Sequence, residues 1–205
     1  MQRVVWHWTA GGHKANNTDR RHYHFIIEGY GTVVAGNHPP EANAVISNPK
    51  DGNTYAAHTR GLNTGSIGVA VASMRGAVEH PFDPGPSPIS PAQIDAMVKL
   101  TADLCRQYNI PVTRETTLSH AEVQPTLGVA QRGKWDIAWL PGMDAPADPV
   151  RVGDGLRERV RQAMAAKPAP RGAPAVDRDA VAVRRDGNPL AALFRALAAI
   201  FGGRK

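Results

Sequence analysis

Seven consecutive residues, Ser66-Ile67-Gly68-Val69-Ala70-Val71-Ala72, constrain this chain's fold more than any other stretch. The run is nearly continuous in apolar character, the pattern of a β-strand covered on both faces rather than open to water on one. Further β segments accompany it. Arg3-Val4-Val5-Trp6-His7-Trp8 is rich in β-branched and aromatic residues and stops at Thr9-Ala10-Gly11-Gly12, so it reads as a strand that delivers His7 near its C-terminal end. Tyr23-His24-Phe25-Ile26-Ile27 and Thr32-Val33-Val34-Ala35, joined through Glu28-Gly29-Tyr30-Gly31, form a hairpin. Residues 37–65, filled with Asn, Pro, Gly and Thr, read as irregular.

Ser90, Pro91 and Gln93 supply an N-cap, a first-turn proline and a capping-box partner. Ile94, Met97, Val98, Thr101, Leu104, Cys105 and Tyr108 follow at helical spacing, which predicts a helix over 91–108. A second helix is predicted over 155–166, with Leu156, Val160 and Met164 on one face. The prolines of the following Lys167–Ala175 stretch remove donors and favour extended structure, so a Pro/Arg-rich linker is placed at 167–187. Asn188 as cap and Pro189 at the first position then open a short amphipathic helix, striped with Leu190, Leu193, Phe194, Leu197, Ile200 and Phe201. The expected organisation is a globular unit over 1–166, the linker 167–187 and a basic C-terminal helix in 188–205.

Composition excludes collagen, coiled coil and full disorder, with 42% apolar and 20% charged residues. The single cysteine, Cys105, rules out an internal disulfide and a thiolate zinc cluster, so any metal is held by histidines and carboxylates. The formal net charge is +6, yet residues 1–150 carry 12 Lys+Arg against 13 Asp+Glu, while residues 151–205 carry 12 against 5. All eight histidines lie at or before His120, so metal or proton chemistry and basic character belong to different parts of the chain. Basic excess confined to the tail, with no aromatic–basic RNA motif, argues against a nucleic-acid partner. Met1-Gln2-Arg3 runs straight into the first strand with no small-residue cleavage site, and no segment reaches the ~18 apolar residues of a membrane span. Synthesis in the cytoplasm without a signal peptide is expected.

A catalytic zinc site needs three protein ligands and one open position for water. His7 at a strand end, His120 in Leu118-Ser119-His120-Ala121-Glu122-Val123 and Asp136 in Gly133-Lys134-Trp135-Asp136-Ile137 are candidates. Eight histidines allow many triples, and a lone histidine in an apolar strand is more often a hydrogen-bonded core residue, so spacing alone does not identify the site.

Five separated motifs narrow the choice: Val5-Trp6-His7-Trp8-Thr9-Ala10, His22-Tyr23-His24-Phe25-Ile26-Ile27, Ala57-His58-Thr59-Arg60-Gly61-Leu62-Asn63-Thr64-Gly65-Ser66-Ile67-Gly68-Val69, Ser119-His120-Ala121-Glu122-Val123 and Gly133-Lys134-Trp135-Asp136. In type and order they resemble the zinc-dependent N-acetylmuramoyl-L-alanine amidases, the type 2 amidases that share a fold with phage amidase endolysins and animal peptidoglycan recognition proteins. The resemblance implies an α/β fold, a central mixed, mainly β sheet flanked by helices. It implies an endolysin-like peptidoglycan hydrolase that cuts the amide between N-acetylmuramic acid and the stem peptide's L-alanine with zinc-activated water, acting at the bacterial cell wall in phage or prophage lysis. By position, the zinc ligands fall on His7, His120 and Asp136, the site tyrosine on Tyr23 and the catalytic lysine on Lys134.

Tyr23 alternates with His22 and His24 along the predicted strand, so a Tyr23 facing the metal turns both histidines away. His58 lies in the loop that borders the substrate in the family, and either substrate contact or structural hydrogen bonding suits it. Glu122, two residues past a ligand, is a rival general base, for which a structural role is preferred. Two departures stand out. Ala70 occupies the place where cell-envelope amidases carry a glutamate base, which puts more weight on Tyr23. The short interval between His7 and Tyr23 leaves too few residues for the usual helix, so Gly11–Asp19 is expected to be a loop.

A non-catalytic peptidoglycan-recognition module is the alternative function, and intact His7, His120 and Asp136 argue against it. The C-terminal helix, roughly 20 Å long, is too short to cross a ~30 Å hydrocarbon core. Through Arg184, Arg185, Arg195, Arg204 and Lys205 it is expected to contact anionic membrane or lipopolysaccharide phosphates, with packing on the catalytic unit as the alternative.

Overall fold

The structure, a computed structural model, describes residues 1–166. The linker expected at 167–187 and the amphipathic helix expected in 188–205 lie outside the described residues. In chain order the strands are β1 (Arg3–Trp8), β2 (Phe25–Ile27), β3 (Val33–Ala35), β4 (Ser66–Val71) and β5 (Thr117–Ser119). In space they form one sheet in the order β3-β2-β4-β1-β5. The β2–β4, β4–β1 and β1–β5 pairs are parallel, and β2–β3 is the antiparallel hairpin. This order accounts for the apolar run. β4 is the middle strand, and all of its residues are buried.

Helices α1 (Asn17–His22), α2 (Pro91–Tyr108), α3 (His120–Leu127) and α4 (Pro149–Ala165) complete the α/β fold. α2 has the bounds the sequence predicts, opened by the Ser90–Gln93 capping box and closed by Asn109 in the left-handed region at φ 54°. Gln93 Nε2 donates to the carbonyls of Ile27 and Ala72, both at 2.9 Å, and so ties the start of α2 to the ends of β2 and β4. Trp6 Nε1 donates to Thr101 Oγ1 at 2.9 Å, which places Trp6 against α2. By strand alternation Val5 and His7 face the other side, where Val5 packs with Leu118 and Val123.

Three boundaries differ from expectation. Gly11–Asp19 is not a plain loop, because α1 begins at Asn17. Asn16 Oδ1 accepts the N–H groups of Thr18 and Asp19, and Asp19 accepts the N–H of Asn16, a full capping box on a six-residue helix. The strand predicted from Tyr23 is shorter for the same reason: His22 ends the helix, Tyr23 is its C-cap, and pairing starts at Phe25. α4 starts at Pro149 rather than 155, since Asp148 Oδ1 accepts the Arg151 N–H at 2.8 Å and Pro149 fits the first turn.

Candidate metal centre

The site forms where parallel strands end, the place at which sheets of this kind leave a crevice. His7 is the penultimate residue of β1. His120 follows the last residue of β5 and opens α3. Ser119 makes this abrupt change possible: it ends the strand, caps the helix, and gives its N–H to Glu122 Oε2 at 2.7 Å. Asp136 arrives from the segment after α3, where Arg132, Gly133 and Ile137 all take positive φ and bend the chain back toward the two imidazoles.

Three acceptor-type atoms converge there. His7 Nδ1 and His120 Nδ1 are 3.1 Å apart, and each lies 3.6 Å from Asp136 Oδ2. Donors around a tetrahedral zinc at about 2.0–2.1 Å sit about 3.3–3.4 Å from one another. The set therefore has the size, and with two imidazole nitrogens and a carboxylate oxygen the chemistry, of a site for a divalent metal.

Burial lowers the His7 pKa to about 4, so its ring is neutral and free to ligate at neutral pH. Burial alone would raise the Asp136 carboxyl, but the contacts with His120 and His7 outweigh it and hold the group well below the usual carboxylate range. The centre thus sets the negative charge of Asp136 beside the neutral ring of His7. Tyr23, pushed upward by burial and by the Asp136 charge, keeps its phenolic proton.

An open cleft of about 500 Å³ leads to these atoms, and Trp8, Tyr23, His58 and Lys134 line it together with His120 and Asp136. Tyr23 stands with its ring 5.2 Å from that of His7 and its hydroxyl donating to the Trp8 carbonyl at 3.4 Å. Lys134 sits exposed on the rim. His58 is buried behind His7, its Nδ1 3.1 Å from His7 Nε2. His22 turns away to the Ala57 carbonyl, and His24 Nδ1 accepts the Gly68 N–H. Glu122 is excluded from the cleft altogether, wholly buried with its Oε1 2.8 Å from Arg157 Nη1, an ion-pair contact rather than an aligned hydrogen bond. Ala70, paired in register with His7, faces the site and brings no carboxylate to it. Cys105 is buried in the core, where burial pushes its thiol up to about 11.

Sequence reasoning misses Gln131. It is buried, with Oε1 2.8 Å from His120 Nε2 and Nε2 donating to the Arg60 carbonyl at 2.9 Å. No spacing or composition signal marks it, since its partners come from distant parts of the chain.

Among known proteins, LysC, an N-acetylmuramoyl-L-alanine amidase from Clostridium intestinale URNW, is similar at 18% identity and a TM-score of 0.45, over 78% of this chain and 85% of that one. The endolysin amidase LysCS of the same organism gives 17% identity and 0.45, over 78% and 83%. AmiD from E. coli, solved with anhydro-N-acetylmuramic acid-L-Ala-D-γ-Glu-L-Lys, gives 20% and 0.39, over 59% of this chain and 48% of that one. No curated protein sequence matches the chain. The family profile described as N-acetylmuramoyl-L-alanine amidase matches residues 1–142, a span that holds the whole sheet and every residue of the cleft. The chain belongs to the N-acetylmuramoyl-L-alanine amidase family and is a peptidoglycan amidase.

Proposed function

We propose that the chain cleaves the bond between the lactyl group of N-acetylmuramic acid and the stem peptide's L-alanine, using a zinc ion held by His7, His120 and Asp136. The observation that carries this reading is the approach of His7 Nδ1, His120 Nδ1 and Asp136 Oδ2 to within 3.1–3.6 Å of one another at the cleft. When bound, zinc supplies Lewis acidity, enough to bring the pKa of a water from 15.7 to about 7. Lys134, on the rim, offers an ammonium group to the oxyanion that develops as the amide carbonyl is attacked. The Tyr23 hydroxyl, beside His7, is placed to hold or relay the proton that the attacking water gives up. With Ala70 in place of a carboxylate, proton handling on that side of the cleft falls to Tyr23.

The proposed catalytic unit is 1–166, acting as an endolysin on the cell wall, with 188–205 as a contact for anionic lipid or lipopolysaccharide phosphates on the strength of its sequence alone. Digestion of purified peptidoglycan followed by mass spectrometry tests the chemistry. Free stem peptides beginning with L-alanine, beside glycan that keeps its lactyl groups, are expected. Products that retain the lactyl–alanine link, or no products at all, would contradict the assignment.

A further inference from the structure

We infer that His58 and Gln131 are positioning residues, each of which passes the fixed polarity of a main-chain carbonyl to one of the two metal-site histidines and leaves its Nδ1 bare toward the cleft. The inference rests on the metal reading of His7, His120 and Asp136.

A carbonyl oxygen only accepts, and that fact sets the direction of each chain of hydrogen bonds. On one side, the Arg60 carbonyl requires the amide nitrogen of Gln131 to face it, at 2.9 Å, so Gln131 Oε1 is the atom that faces His120 Nε2 at 2.8 Å. An amide oxygen there accepts, so His120 Nε2 carries the proton and its Nδ1 carries the lone pair. On the other side, the Ser66 carbonyl stands 3.4 Å from His58 Nε2 and makes that nitrogen the donor. His58 Nδ1 is then an acceptor, 3.1 Å from His7 Nε2, which must hold a proton, and His7 Nδ1 is left bare. The Thr59 hydroxyl, 2.8 Å from the same His58 Nδ1, has a rotatable proton and adds a second donor to it.

Each chain therefore ends in a lone pair, and the two lone pairs belong to the nitrogens that lie 3.1 Å apart next to Asp136. Reversing either tautomer would point an N–H into the place a cation takes. The sheet gives up a side chain to seat one of these relays. A Cβ on Gly68 of β4 would collide with the imidazole of His58, so the strand accommodates the ring only as glycine.

The direct test is a long-range ¹H–¹⁵N spectrum of the full chain after metal removal, at neutral pH. His7, His58 and His120 are each expected as the Nε2–H tautomer, and an Nδ1–H signal from His7 or His120 would overturn the inference. Zinc affinity, measured by competition with a chromophoric chelator, gives the second readout. His58→Leu and Gln131→Leu should each weaken zinc by about 10–100-fold. His58→Asn, which keeps an oxygen acceptor toward His7, should regain most of it. Leucine variants that bind zinc like the parent would refute positioning. If the leucine variants fail to fold, the tautomer spectrum of the parent decides. A parent that takes up no zinc refutes the metal reading instead, and the same spectrum still decides the tautomers.

Discussion

His120 and Glu122 lie two residues apart on α3, yet they enter two buried polar clusters of opposite construction. Around Glu122 charge is matched with charge. Its carboxylate takes the Ser119 N–H and faces Arg157, which in turn donates to the Thr117 carbonyl at 2.9 Å and to Asp154 at 2.8 Å. Around His120 the charge is unmatched. Two imidazole nitrogens and a carboxylate oxygen face one another, and among the described residues no lysine or arginine pairs with Asp136. Burying acceptors together without a donor is costly, which supports the proposed cation site in the second arrangement and a structural role for the first. Both clusters are seated against a glycine: Gly153 of α4 leaves room for the Glu122 carboxylate, as Gly68 does for His58.

Removing a member of the unmatched cluster breaks the contrast most severely. His120→Ala and Asp136→Ala should lose bound zinc and bring peptidoglycan hydrolysis down to background, checked by metal content and dye-release assay, while the circular dichroism spectrum is kept. Lys134→Ala should keep zinc and lower kcat by about 10²–10³-fold, the worth of one group that stabilises an oxyanion, read from steady-state kinetics on a muropeptide. In the matched cluster the loss is of stability. Glu122→Gln removes the wholly buried one of Arg157's two carboxylate partners, leaving Asp154, and should cost about 1.5–3 kcal/mol in denaturant unfolding, with one zinc still bound per folded chain. Gly68→Ala, which crowds His58, should weaken zinc by roughly tenfold in the same chelator competition.

A pH dependence falls on His24, whose ring packs against that of His58. Burial lowers the His24 pKa to about 3, against 6.5 for a free imidazole, and the neutral ring accepts the Gly68 N–H. Unfolded chain therefore binds a proton that the fold refuses, so stability is complete above pH 6.5 and is lost as pH falls from there toward 3. His24→Asn keeps an acceptor and cannot titrate, and its thermal midpoint should fall less steeply over that interval.

Much of the scaffold is legible in the sequence, for local reasons. α2 has its cap, its first-turn proline and its apolar spacing all in one stretch, and β4 announces its burial by composition. α1 and the first turns of α4 are less legible because their signals, Asn16 with Asp19 and Asp148 with Pro149, are short caps without a long apolar stripe behind them. Within β4 the small residues Ser66, Gly68 and Ala70 alternate with Ile67, Val69 and Val71, and this marks which face receives bulky groups from elsewhere. The site is a different case. His7 and His120 are 113 residues apart, so only the order of motifs, not spacing, joins them. Gln131 takes its role from the Arg60 carbonyl 71 residues away, a relation that exists only in the folded chain.

Metal removal and restoration tests the cation reading of the unmatched cluster most directly. Release of L-alanyl stem peptides from purified peptidoglycan should cease when the full chain is stripped of metal by a chelator. It should return in proportion to added zinc and saturate at one ion per chain. Stem-peptide release at an undiminished rate from protein verified to be free of metal would contradict it.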